Sequence, residues 1–218
     1  MNTKQKLLTL ALVAGFAGGA SGQLIITGVV DGTNTGGIPK GAELYATEDI
    51  ADPSVYGIQR YTNSVSSASS LTQLSAISLN AGDFYYLTGG ATSTTIFNNE
   101  GFTVGLTGAV VNINGDDLLQ LVEFAAPTTV LDTFGQPNQG DTNFYENSIA
   151  YRNNDNITGN IAGNVDATPG FTITAYTNDT DFGNIFGSYS PVPEPSAYGA
   201  LFGLVAIGFA VARRRRRS

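Results

Sequence analysis

Leu24-Ile25-Ile26-Thr27-Gly28-Val29-Val30, closed by Asp31-Gly32, is the stretch on which the fold turns. It is dominated by β-branched residues, which are stiff at χ1 and pack well on a pleated surface. Asp-Gly is turn chemistry, so the run reads as a strand with a defined end. The same signature recurs along the chain. Short runs of Thr, Val, Ile, Tyr and Phe stand at 43–46, 55–58, 74–79, 84–87, 94–97, 110–113, 118–124, 130–134, 149–152 and 171–176, between Gly, Asn, Asp and Pro. Asn80-Ala81-Gly82-Asp83 predicts a hairpin between 74–79 and 84–87. Asn114-Gly115-Asp116 predicts another turn. No amphipathic helical pattern of useful length is found between residues 23 and 182. About ten short strands at this spacing predict an all-β sandwich over 23–182.

Outward from this body, both ends read as membrane signals. Lys4 and Lys6 precede an apolar region at 7–17, and Ala20-Ser21-Gly22 places small residues before Gln23. Residues 1–22 are therefore expected to be a signal peptide, with Gln23 as the new N-terminus. At the other end stands Val192-Pro193-Glu194-Pro195-Ser196. Residues 196–212 carry no charge, and Arg213, Arg214, Arg215, Arg216 and Arg217 follow at once. As a helix, 196–212 is about 26 Å long at roughly 1.5 Å per residue, near the short end of a bilayer span. It predicts a transmembrane helix. The arginines hold the tail 213–218 on the cytoplasmic side and leave the body outside the cytoplasm. Pro193 and Pro195 lock φ and remove two N–H donors, which keeps the motif extended. Residues 183–195 are expected to be a flexible linker carrying it.

Val192-Pro193-Glu194-Pro195-Ser196, a short apolar span and a terminal arginine cluster, in that order, resemble the PEP-CTERM sorting signal of exported proteins in Gram-negative bacteria. The resemblance implies recognition by an exosortase, a membrane cysteine protease-transpeptidase. It implies transient anchoring in the inner membrane, cleavage near the Pro-Glu-Pro motif, and delivery of the body to the cell surface or the extracellular polysaccharide. Glu194 and its flanking prolines would be the recognition element.

Composition excludes several functions. All 18 acidic residues lie between 23 and 195, against Lys40, Arg60 and Arg152 as the basic ones, a net charge of −15 for the body. Such a body repels nucleic acid and anionic lipid. There is no cysteine, so stability rests on the core alone. There is no histidine either. Ser-His-Asp and Cys-His nucleophiles and histidine-based zinc sites cannot be built.

The remaining chemistry belongs to carboxylates, amides and aromatics. Asn112, Asn114, Asp116 and Asp117, or Glu48, Asp49 and Asp52, offer oxygens to calcium, though neither group has EF-hand spacing. The same residues are also ordinary turn formers. Glu43 and Glu123 stand in apolar strands, where a carboxyl pKa can rise, and a carboxylate pair can hydrolyse glycosides. Glu43 and Glu123 alternate with apolar neighbours, so either side chain can equally face solvent. Tyr85-Tyr86 must face opposite sides of one strand, which points one ring outward. Exposed tyrosines stack on sugar rings, and the same rings serve ordinary packing.

Leu24-Ile25-Ile26-Thr27-Gly28-Val29, Glu43-Leu44-Tyr45, Ala81-Gly82-Asp83-Phe84-Tyr85-Tyr86-Leu87, Asn114-Gly115-Asp116-Asp117-Leu118-Leu119-Gln120-Leu121 and Val130-Leu131-Asp132-Thr133-Phe134-Gly135 are similar, in order, to motifs of lamin-tail-like domains. That resemblance implies an immunoglobulin-like sandwich and an interaction module with no activity of its own. The expectation is an exported, exosortase-processed surface or matrix protein that is not an enzyme and needs no cofactor. Its expected partners are the exosortase and extracellular polysaccharide or surface proteins. Two alternatives stand beside it: a calcium-dependent adhesin or carbohydrate-binding module, and a carboxylate-based glycoside hydrolase.

Overall fold

The computed structural model describes residues 24–64, 67–135, 143–154 and 170–191. The expected signal peptide with its cut at Ala20, Gly22 and Gln23 lies outside these residues. So do the motif at Val192, Pro193, Glu194, Pro195 and Ser196, the apolar run, and Arg213 to Arg217. Among the described residues no helix is long and apolar enough to cross a membrane.

The body is mostly β and forms two sheets. The strands are β1 (Leu24–Asn34), β2 (Ile38–Ala46), β3 (Tyr56–Tyr61), β4 (Ser70–Gln73), β5 (Phe84–Thr88), β6 (Val104–Thr107), β7 (Leu118–Glu123), β8 (Ala126–Phe134), β9 (Ser148–Arg152) and β10 (Phe171–Ala175). One sheet runs β10-β9-β1-β2-β5-β6 and the other β4-β3-β7-β8. β1 runs past Asp31-Gly32 to Asn34 and is buried over its first nine residues. A strand covered on both faces needs apolar residues at successive positions, as 24–26 and 29–30 supply.

The larger sheet is covered on both sides. Leu24, Ile26, Leu44 and Leu87 meet Ile58, Leu119, Leu121 and Phe134 of the smaller sheet in one core. Val30, Tyr86, Phe97, Ile149, Phe182 and Phe186 form a second core on the opposite face. Two short helices supply its cover, α1 (Ala91–Asn99) and α2 (Asp179–Ile185). The expectation that the body contains no helices is therefore corrected.

Residues 94–97, expected as a strand, lie in α1. Thr, Ile and Phe favour strands, but β5 and β6 are parallel, and parallel neighbours need a crossover that a tight turn cannot supply. α1 is that crossover. Residues 110–113, also expected as a strand, include a 3-10 turn (Ala109–Val111) whose valines enter the inner core. The hairpin expected at 80–83 is absent. Leu79 bridges Ile50, and β5 pairs with β2 and β6.

Candidate functional site

One cross-strand row organises the outer face of the larger sheet. Thr172 pairs with Tyr151, Tyr151 with Gly28, Gly28 with Glu43, Glu43 with Tyr86, and Tyr86 with Val104. Side chains in register on adjacent strands share a face. Gly28 leaves a notch in this row, and Phe186 fills it. A Cβ built on Gly28 would stand 2.6 Å from Phe186 Cε1, closer than packed atoms approach.

The chain then passes over Glu43. The backbone N–H of Gly187 donates to Glu43 Oε2. Gly187 has φ +74°, the left-handed region that glycine enters without a Cβ penalty. Thr27 Oγ1 donates to Glu43 Oε1 at 2.7 Å, and the Tyr86 hydroxyl adds a further hydrogen bond. Burial pushes the Glu43 carboxyl from its ordinary 4.5 up to about 7, and these three donors pull it back only in part. Beyond Gly187, the Tyr189 ring stands edge-on to Tyr45 at 4.9 Å. Ser190 N donates to Asn154 Oδ1 at 3.1 Å.

The segment expected to be a free linker from residue 183 is thus held against the body as far as Ser190. Its Gly, Asn and Ser content reads as a tether, but Phe182, Phe186 and Tyr189 fall at successive spacings of four and three. They put aromatic weight on one side of it, and that spacing is the sequence signal for docking. Beside the segment lies a cleft of about 300 Å³ lined by Glu43, Tyr151, Asn153, Thr172, Ser188 and Tyr189 among others.

The other carboxylates lie elsewhere. Glu123 is exposed at the end of β7 in the smaller sheet, on a separate cleft of about 450 Å³ with Val55, Tyr56 and Phe124. Glu43 and Glu123 therefore do not share a cavity. Tyr85 and Tyr86 do face opposite sides of β5, but both are buried, one in each core. The ring expected to point outward meets Phe102 at 4.7 Å instead of solvent.

The oxygens around 112–117 are engaged by protein donors. Lys40 Nζ donates to Asp31 Oδ1 at 2.7 Å, to Asn114 Oδ1 at 3.0 Å and to the carbonyl of Ile113. Asp117 accepts from the backbone N–H of Asn63 and of Asn114. Asp116 is buried next to it, and the carbonyl of exposed Asn112 accepts from Arg60. Burial raises the Asp31 carboxyl above its ordinary value, against the lowering pull of Lys40. Among the described residues no cluster of three or more acidic side chains is placed to hold a metal ion.

Next to docked Ser190 in the chain, residues 191–217 match the family model of the PEP-CTERM protein-sorting motif. The chain carries a PEP-CTERM sorting signal. The PEP-CTERM motif implies export, a membrane-anchored sorting signal at the C-terminus, and processing by an exosortase. No curated protein and no solved structure matches the chain. The PEP-CTERM match thus covers the tail, and the β-body is characterised by its own geometry.

Proposed function

We propose that this protein is an exosortase-processed component of the cell surface or extracellular matrix. Its β-body is a non-catalytic interaction module that associates with extracellular polysaccharide. The sorting motif at 191–217 carries the reading, because it sends the body to where such polymers are made and retained. The body suits that setting. Its charge of −15 favours solubility and repels nucleic acid and anionic lipid. Half-buried Tyr151 flanks a cleft with Asn153, Thr172 and Ser188, an aromatic face beside amide and hydroxyl groups. Aromatic faces cover the apolar faces of sugar rings, and amides and hydroxyls bond to sugar hydroxyls.

The placement of the carboxylates supports the absence of catalysis. Glycoside hydrolysis needs two carboxyl groups flanking one bond. Glu43 lies under the docked segment and Glu123 lies on another cleft. The two-sheet body supports the immunoglobulin-like, lamin-tail-like reading of residues 24–152 as an interaction module. The ammonium of Lys40 among Asp31, Ile113 and Asn114 favours a module that works without calcium.

Processed protein recovered from the host surface and mixed with the host's purified extracellular polysaccharide tests this reading. Saturable co-sedimentation, equal in calcium and in chelator, is the expected result. Absence of binding in both would refute the polysaccharide association, and binding lost in chelator would make calcium a ligand after all.

A further inference from the structure

Docked Ser190 and the sorting motif are adjacent in the chain. Ser190 is bonded to Asn154, and the matched motif starts at residue 191. The uncharged run begins at Ser196. Six peptide steps therefore separate docked Ser190 from the apolar run, a reach of about 20 Å even when fully extended. A folded body held that close to the membrane crowds the motif that the membrane enzyme must grip. Release of the chain back to the end of α2 adds five residues and extends the reach to about 38 Å.

The attachment that sets this reach is made of side-chain packing and single hydrogen bonds. Phe186 sits in the Gly28 notch and stacks on Tyr86 at 6.4 Å between centroids. Gly187 donates its N–H to Glu43, and Tyr189 packs on Tyr45. Phe186 also meets Phe97, Phe102 and Phe182 in the second core, and Ser190 is bonded to Asn154. Each is a side-chain or single backbone bond, and none is a strand ladder. Such a segment can leave the sheet without opening the β1 to β10 hydrogen bonding.

We propose that residues 186–190 are a strap that sets the reach of the sorting motif, with Phe186 on Gly28 and Gly187 on Glu43 as its positioning contacts, and that the strap peels from the sheet before the exosortase engages. The substrate-competent form is then the undocked one, and its population scales the observed rate of processing. Phe186, Gly187 and Gly28 are positioning residues that act through the length of chain they hold.

The inference rests on exosortase processing, so the test separates the two. Conversion of precursor to processed protein is followed by pulse-chase in the host for five full-length chains: the parent, Gly28→Val, a variant with six Gly and Ser residues inserted between Pro191 and Val192, the combination of these two changes, and Glu194→Ala. Valine suits a strand but fills the notch that Phe186 needs. The insertion leaves the body untouched, so it reports even if the valine variant misfolds. Gly28→Val and the insertion are expected to raise the rate by about tenfold. In the combined variant the insertion should add little. Parental rates in both single variants would overturn the strap. Unaltered processing of Glu194→Ala would overturn the sorting reading itself, and the strap's role with it.

Discussion

Arg152 and Asp132 form an ion pair across the two sheets with neither side chain exposed to solvent. The pair also takes up the backbone of β1 where its register shifts between Ile26 and Gly28. Asp132 Oδ2 accepts from Ile26 N at 2.7 Å, and Arg152 Nε donates to Ile26 O at 2.6 Å. Arg152 also lies over the Phe171 ring, 4.7 Å from its centroid. A bulge leaves backbone groups without ladder partners, and a buried unpaired group is costly. β8 and β9 bring the missing partners. The register that places Gly28 beside Glu43 depends on this bulge, and so does the notch under Phe186.

Removal of one partner strands the other. Asp132→Ala leaves a buried guanidinium and an unpaired Ile26 N–H, and the expected loss is about 3–5 kcal/mol. Urea unfolding of the body should show it, with a thermal midpoint lower by roughly 10 °C. A double replacement by apolar residues of similar volume should cost less than Asp132→Ala alone. Equal stability of parent and Asp132→Ala would contradict the buried pairing.

Glu43 makes stability depend on pH in an unusual direction for a carboxylate. Its pKa is raised from 4.5 to about 7 in the fold, so the folded protein holds the proton more tightly. The contribution is complete below about pH 4.5 and is lost as pH rises through about 7, a span of about 3 kcal/mol. Tyr86 and Thr27 face the carboxyl from β5 and β1, and neither offers a compensating positive charge. Buried Asp31 titrates upward as well, so the informative quantity is the difference between parent and Glu43→Gln. That difference should shrink or change sign between pH 5 and pH 8. A pH-independent difference would place Glu43 in water.

Lys40 fills the place among Asp31, Ile113 and Asn114 that a cation would take. Lys40→Met leaves the Asp31 carboxyl buried without its partner and should cost about 3–5 kcal/mol in urea unfolding. Calcium at millimolar concentration should leave the parent's thermal midpoint where chelator leaves it. A calcium-dependent rise in the parent would show that these oxygens prefer a metal to the lysine.

The β-rich body was legible because its apolar runs are short, β-branched and bounded by turn residues. The runs at 24–30, 43–46, 84–87, 118–124, 149–152 and 171–176 fall on strands of the two sheets, except for their end residues Phe124 and Tyr176. α1 was not legible, because Thr94, Thr95, Ile96 and Phe97 favour strands and only the parallel pairing of β5 with β6 demands a helix there. The site was legible in part. Glu43 stands out as an acid in an apolar strand, but its partner Gly187 is 144 residues away and is reached through an aromatic spacing that glycine and asparagine conceal. Asn114 and Asp117 read equally as turn formers or ligands, and only the position of Lys40 distinguishes them.

The central claim is that the C-terminal motif directs processing at the membrane. Its most direct test is the size and location of the Glu194→Ala protein in fractionated host cells. The account predicts an uncleaved precursor held in the membrane fraction, beside a shorter parent protein at the surface or in the medium. A Glu194→Ala chain cut and delivered like the parent would contradict it.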